Sequence, residues 1–160
     1  MPRTNSEPTA VSIVPADPRG PEATMLLDLL SETLAGITGA SGRASFDVAD
    51  VETEGSLFLL ARDAAGRTVG CGCYRRFSDE EAEIKRMLAL PGTRGVGAAL
   101  LAALEDHARL DGYATAILES RRANERAVAF YRRHGYAVIP NFGRYRGRPE
   151  AICFGKLLVG

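Results

Sequence analysis

No sign of charge dominates this sequence. Twenty basic residues balance twenty acidic ones, and no basic block stands out. That argues against a dedicated binder of nucleic acid or of a membrane surface. No apolar run approaches the roughly 20 residues that span a bilayer. The first stretch, MPRTNSEPTAVSIVPADPRG, lacks the apolar core of a secretory signal. Cysteine is scarce: there are only Cys71, Cys73 and Cys153, and a single glycine separates the first two. Neighbours on one strand do not bridge readily, so the three read as buried reduced thiols of a cytoplasmic protein. The two histidines, His107 and His134, form no cluster with metal-ligand spacing. No metal site is expected.

What remains is an ordinary globular composition, 46% hydrophobic and 25% charged over 160 residues. That length suits one domain with one sizeable core. Residues 1–8 are polar and carry two prolines, so they read as a tail before a domain over 9–160. Residues 10–16 alternate as a strand. Residues 21–37 repeat as a helix, with Pro21 and Glu22 at its start and Met25, Leu26, Leu29, Leu30 and Leu34 as its expected apolar face. A loop covers 38–46, and 47–55 is a short helix or more loop. Strands over 56–62 and 68–77 flank the turn signal DAAG, and a third strand covers 81–90. The three form a meander. A helix then ends near Gly112, a strand spans 113–120, and a helix spans 124–135 with Gly135 as its stop. Strands close the chain on either side of the loop NFGRYRGR. The strand–helix–strand crossover predicts two parallel neighbours. The expected fold class is α/β (α+β): a mixed, mostly antiparallel sheet of six to seven strands with helices on both faces.

The most informative stretch is PGTRGVGAALLAALEDHARLDG, residues 91–112. Three glycines crowd its first seven residues, between a strand and a helix. A helix N-terminus exposes unpaired N–H groups and a partial positive charge, which suits a phosphate. Glycines let backbone approach the anion without a Cβ in the way. Two common phosphate motifs are excluded. The P-loop needs Lys and Ser/Thr after its last glycine, and here Ala98 and Ala99 follow Gly97. The dinucleotide fingerprint needs a third glycine, which Gly95-Val96-Gly97 does not supply.

Taken with its surroundings, the stretch resembles the GNAT superfamily of N-acetyltransferases over about residues 55–158. Arg94-Gly95-Val96-Gly97-Ala98-Ala99 matches the family's pyrophosphate-binding turn, of form Arg/Gln-x-x-Gly-x-Gly/Ala. Asn124, Ala127, Tyr131 and Gly135-Tyr136 match its later pattern. The resemblance implies that N–H groups of the turn, including Thr93, hold acetyl-CoA. The segment from the turn's arginine to the helix-ending glycine is about two residues shorter than in the nearest branch. Losing two residues inside the helix would rotate its face by roughly 200°, so the shortening belongs to the turn. With the leucines kept in phase, Gly95 and Gly97 stay in register and Gly92 stands in place of the arginine. The cradle then lies within 92–99.

Transfer of an acetyl group to an amine needs a base for the amine, a donor for the oxyanion and an acid for the leaving thiolate. The resemblance implies Tyr131 as acid, since a phenol of pKa about 10 is protonated at neutral pH. Tyr131 also fits an amphipathic core position. Glu83 is the implied base, working through water, with Glu81 as its competitor. Alternation puts Glu83, Lys85, Met87 and Ala89 on one face. The family parts its fourth and fifth strands here, so backbone groups of Leu88 and Ala89 are expected to pair with the pantetheine arm and supply the oxyanion donor. Asn124 is expected to bond the CoA arm, to cap the following helix, or both. Arg121 and Arg122 are candidates for the CoA 3′-phosphate. Phe142 and Tyr145 are candidates for a substrate wall. No cysteine is paired with a histidine, so no acetyl-cysteine is expected.

The resulting expectation is direct transfer from acetyl-CoA to a primary amine of a small molecule or peptide. The arginines of 144–148 lean toward an acceptor bearing a carboxylate. A homodimer is compatible with the family. A silent acyl-CoA-binding module on the same fold is the main rival. An ordinary nucleotide-binding α/β protein is the second.

Overall fold

The structure is a computed structural model that describes residues 7–39 and 46–158. The first six residues of the expected tail and most of the loop over 38–46 lie outside the described residues. Ten elements follow one another: β1 (Val11–Pro15), α1 (Pro21–Thr38), β2 (Leu57–Asp63), β3 (Thr68–Arg76), β4 (Glu81–Ala89), α2 (Val96–Leu110), β5 (Thr115–Arg121), α3 (Glu125–Arg133), β6 (Ala137–Ile139) and β7 (Ala151–Leu157). Short 3-10 turns occupy Val48–Val51 and Gly143–Tyr145. The seven strands form one sheet in the order β1-β2-β3-β4-β5-β7-β6. Only β4 and β5 pair in parallel, because α2 carries the chain back to start β5 beside β4.

Local chemistry sets the helix ends. Pro21 opens α1, and Gly39 closes it in the left-handed region (φ +77), donating its N–H to Ala35 O. Gly95, also left-handed (φ +73), precedes α2. The Asn124 side chain accepts from Ala127 N–H at 3.3 Å and caps α3.

β2 is buried on both faces, which explains its unbroken run LFLLA. Phe58 and Leu60 join a core with Leu26, Leu27, Cys71 and Cys73 under α1. Leu59 and Ala61 join the larger core on the other face, with Leu100, Leu101 and Leu104 of α2 and Tyr131 of α3. The helices thus lie on both faces, α1 alone on one. The buried side of α1 is Ala23, Leu26, Leu27, Leu30 and Ser31. Met25 and Leu29 of the expected apolar face are exposed instead. Several stripes on this leucine-rich helix look equally apolar, and contact with the sheet selects among them.

A second correction concerns β4. Cys73 pairs with Lys85, yet Cys71 pairs with Leu88. Two steps along β3 therefore match three along β4. The extra residue is accommodated at Arg86, whose φ of +56 is the only positive value outside glycine among the described residues. Alternation breaks there. Leu88, not Met87, shares the α1 face with Cys71 and Cys73, while Met87 packs into the opposite core. The expected single face of Glu83, Lys85, Met87 and Ala89 does not exist. Side chains offset the strain at Arg86. Its guanidinium donates to Leu27 O at 2.9 Å and to Ser31 Oγ on α1, and lies over the Phe46 ring. The thiols of Cys73 and Cys71 donate to the carbonyls of Lys85 (3.1 Å) and Arg86 (3.4 Å).

Close packing brings α2 onto this bulged strand. A Cβ on Gly70 would lie 2.7 Å from Leu88 O and 2.9 Å from Val96 Cγ1. Gly70→Ala should therefore destabilise the fold by about 1–3 kcal/mol, read as a lower thermal midpoint. An unchanged midpoint would show that β3, β4 and α2 have room to separate.

Candidate active site

The first four N–H groups of a helix have no partner within it. In α2 these begin at Gly95, since Ala99 N–H already donates to Gly95 O at 3.0 Å. Arg94 N–H donates to Thr9 Oγ1 at 2.9 Å, and Thr93 N–H to Leu90 O at 3.4 Å. The backbone donors left facing out of the turn are those of Gly95, Val96, Gly97 and Ala98. Gly97 leaves room beside Phe130 of α3, where a Cβ would come within 3.5 Å of the ring.

Beside this turn the sheet opens. β4 and β5 pair only at Glu81–Thr115, Ala82–Ala116 and Glu83–Ile117. Beyond Glu83 the strands part, so one edge of β4 keeps unpaired peptide groups. Leu90 N–H donates to Val69 O in β3 at 2.9 Å. Peptide groups alternate between edges along a strand, so Leu88 also faces β3 and Ala89 faces the opening. Of the two expected backbone partners, Ala89 is the one the register turns toward the gap.

A cavity of about 140 Å³ lies at this opening. Leu30 and Leu34 of α1, Glu83, Lys85 and Arg86 of β4, Glu119 and Arg121 of β5, Asn124, Tyr131 and Tyr145 line it. Two carboxylates meet here in different states. Glu83 is 2% exposed. It accepts from Arg75 Nε at 2.8 Å and faces Lys85 Nζ at 3.7 Å. Glu119 lies one alternation past the last β4–β5 pair. Its side chain is 12% exposed, and its nearest cation, Arg121 Nε, is 3.7 Å from Oε2. That is too long for a hydrogen bond, and Oε2 has none. Burial pushes the Glu119 carboxyl above the ordinary carboxylate range, against the pull of Arg121 and Lys85. Glu81 accepts from Ser78 Oγ at the far end of the strand.

Tyr131 reaches the cavity from the opposite face. Its ring packs against Phe130, Tyr136 and Phe154. Its hydroxyl makes no hydrogen bond among the described residues. Burial alone raises its pKa, so the phenol is protonated. Asn124 both caps α3 and lines the cavity. Tyr145 lines it too, whereas Phe142 packs between Phe77 and Tyr145. Arg121 reaches Glu150 at 3.2 Å, and Arg122 donates to Pro149 O. The cysteines are free and buried, and burial pushes the Cys71 thiol up to about 12. His107 is exposed on α2, and His134, just past the end of α3, packs against Phe130 with its ring tilted 51° to it. Among the described residues no cluster of His, Cys, Asp or Glu is arranged to hold a metal ion. No described helix is long and apolar enough to cross a membrane.

The sequence pattern of the Acetyltransferase (GNAT) family matches residues 24–136. The chain belongs to the GNAT acetyltransferase family. It is an acyltransferase. It is 31% identical over 153 residues to an IAA acetyltransferase of Azospirillum brasilense, covering 92% of this chain and 98% of that one. A Klebsiella pneumoniae protein assigned as an acyl-CoA N-acyltransferase superposes with a TM-score of 0.81 at 26% identity, over 93% of this chain and 98% of that one. A GNAT acetyltransferase of Elizabethkingia anophelis with acetyl-CoA bound shares the fold, with a TM-score of 0.67 at 16% identity over 92% and 97% of the two chains.

In this GNAT acetyltransferase the fold brings Glu83, Tyr131 and Asn124 to one cavity and sets the glycine turn beside the open sheet. Glu119 was not among the residues singled out from sequence. One signal was available: a glutamate inside the apolar strand AILES, where an unpaired charge is seldom buried.

Proposed function

We propose that the protein transfers the acetyl group of acetyl-CoA directly to a primary amine of a small molecule or peptide. Acetyl-CoA supplies the activated thioester. The N–H groups of Gly95, Val96, Gly97 and Ala98 suit its pyrophosphate, being unpaired and at the positive end of α2. The peptide groups of Ala89 suit its pantetheine arm and acyl oxygen. The opening between β4 and β5 is a gap that ligand amides can fill. Asn124 lies at the same opening.

One observation carries the reading. Glu119 and Tyr131, from different elements and opposite faces, line a single cavity where the sheet parts. Glu119 offers a carboxylate oxygen with no hydrogen bond, so it can accept the amine's proton directly or through water. Glu83 is the other candidate base. Its two ion pairs fix it in place and better suit it to holding Lys85 and Arg75. Tyr131 keeps its proton at neutral pH and can deliver it to the leaving thiolate. Tyr145, Leu30 and Leu34 wall the acceptor side.

Thiol release from acetyl-CoA, measured across a diverse amine panel, tests this. Release with at least one amine class, well above the rate of hydrolysis, is expected. CoA binding by calorimetry without release for any amine would instead favour a silent acyl-CoA-binding module.

A further inference from the structure

The turn that presents these N–H groups has little within itself to hold it. Gly92 (φ +84) and Gly95 (φ +73) both occupy the left-handed region. Between them the Thr93 hydroxyl donates to Leu90 O at 2.6 Å. Arg94 is held from elsewhere. Thr9 N–H donates to Arg94 O at 2.8 Å, and Arg94 N–H donates to Thr9 Oγ1 at 2.9 Å. One residue, 85 positions away, thus satisfies both backbone polar groups of Arg94. Pro8 adds a wall on the same side, 3.3 Å from where a Cβ on Gly95 would stand. Thr9 lies two residues before β1, and β1 is itself paired with β2. The strap is anchored in the sheet.

We infer that Thr9 is a positioning residue for the cofactor turn: its two bonds to Arg94 hold the turn in its ligand-ready form. This rests on reading that turn as the pyrophosphate site. Two consequences follow. Arg94 N–H is withdrawn from the donor set, so the open donors begin at Gly95 and run along the start of α2. The two-glycine turn is also ordered when the chain folds. Without the strap, ordering it would fall to the binding step and weaken affinity.

The test uses the full chain and two thioesters. Acetyl-CoA carries the pyrophosphate, and acetyl-pantetheine does not. Thr9→Val keeps the shape but removes the hydroxyl acceptor. It should weaken CoA binding by about tenfold in calorimetry and raise KM for acetyl-CoA, with kcat at saturation within about twofold. Kinetics with acetyl-pantetheine should not change. Thr9→Ser should behave as the wild type in every assay.

Wild-type CoA affinity in Thr9→Val overturns the inference, and a lower thermal midpoint beside it marks Thr9 as structural only. An equal loss with acetyl-pantetheine overturns it as well, since the effect would not act through the pyrophosphate. Should Thr9→Val fail to fold, Thr9→Ala faces the same comparison. If the wild-type protein itself does not bind CoA, the reading of the turn fails and the inference falls with it.

Discussion

Glu119→Gln is expected to lower kcat by about a hundredfold or more, the low end of what a general base contributes. The same substitution should raise the thermal midpoint at neutral pH. Both effects have one cause. Glu119 is largely but not fully buried, its Oε2 has no hydrogen bond, and its pKa is raised. The base must be ionised to work, so wild-type rate should climb with pH through that raised pKa. E119Q should lose this acidic limb.

The sign for stability runs the other way. In the unfolded chain the carboxyl titrates at its ordinary pKa. Between that value and the raised folded value, the native state binds more protons than the unfolded state. Stability therefore falls as pH rises through this window, and the full cost persists above it. Glutamine carries no charge, so E119Q removes the cost, and Arg121 keeps Glu150 at 3.2 Å. A fall in midpoint together with intact activity would remove Glu119 from the mechanism. Glu83→Gln is the control. It breaks the Arg75 and Lys85 pairs, so it should destabilise the fold.

Tyr131→Phe is expected to lower kcat by about tenfold to a hundredfold. This is less than the effect at Glu119, because a thiolate with a pKa of about 8.5 leaves moderately well without a proton. CoA affinity and thermal midpoint should stay close to wild type. The ring contacts with Phe130, Tyr136 and Phe154 survive the change. The hydroxyl has no hydrogen bond to lose, and removing an unpaired buried hydroxyl costs nothing in the fold. Because burial raises its pKa, Tyr131 should produce no alkaline fall in rate below about pH 10. Unchanged kcat in Tyr131→Phe would argue against the acid role, and an alkaline limb below about pH 10 that is lost with the hydroxyl would argue against the raised pKa.

The outcomes along the chain separate by the range of the physics involved. Pro21, Gly39, Gly95 and Asn124 act within one turn of backbone, and the helices begin and end where these residues require. The meander of β2, β3 and β4 follows from alternation and turn residues. The crossover through α2 follows from its strand–helix–strand order. Asn124 caps α3 and Tyr131 stands about two turns further along the same face, a spacing that any helix preserves, so their convergence at the cavity was legible.

The face of α1 was not legible, because Met25 and Leu29 are as apolar as Leu26 and Leu30. Nor was the bulge at Arg86. A left-handed arginine is locally unfavourable, and it is held there by Leu27, Ser31, Cys71 and Cys73, all distant in sequence. That bulge decides which of Met87 and Leu88 faces α1.

By itself, then, the sequence determined the element order, the family and the glycine turn, since these depend on propensity, periodicity and capping within a few residues. Only the tertiary structure decided which carboxylate stands without a hydrogen bond and which N–H groups remain open. Glu83 and Glu119 look alike in the chain. Arg75, a strand away, donates a hydrogen bond to Glu83, while Glu119 has only Arg121 at 3.7 Å. Thr9 likewise closes Arg94 from 85 positions away. Pairing and burial are properties of neighbours in space, and folding alone chooses those neighbours.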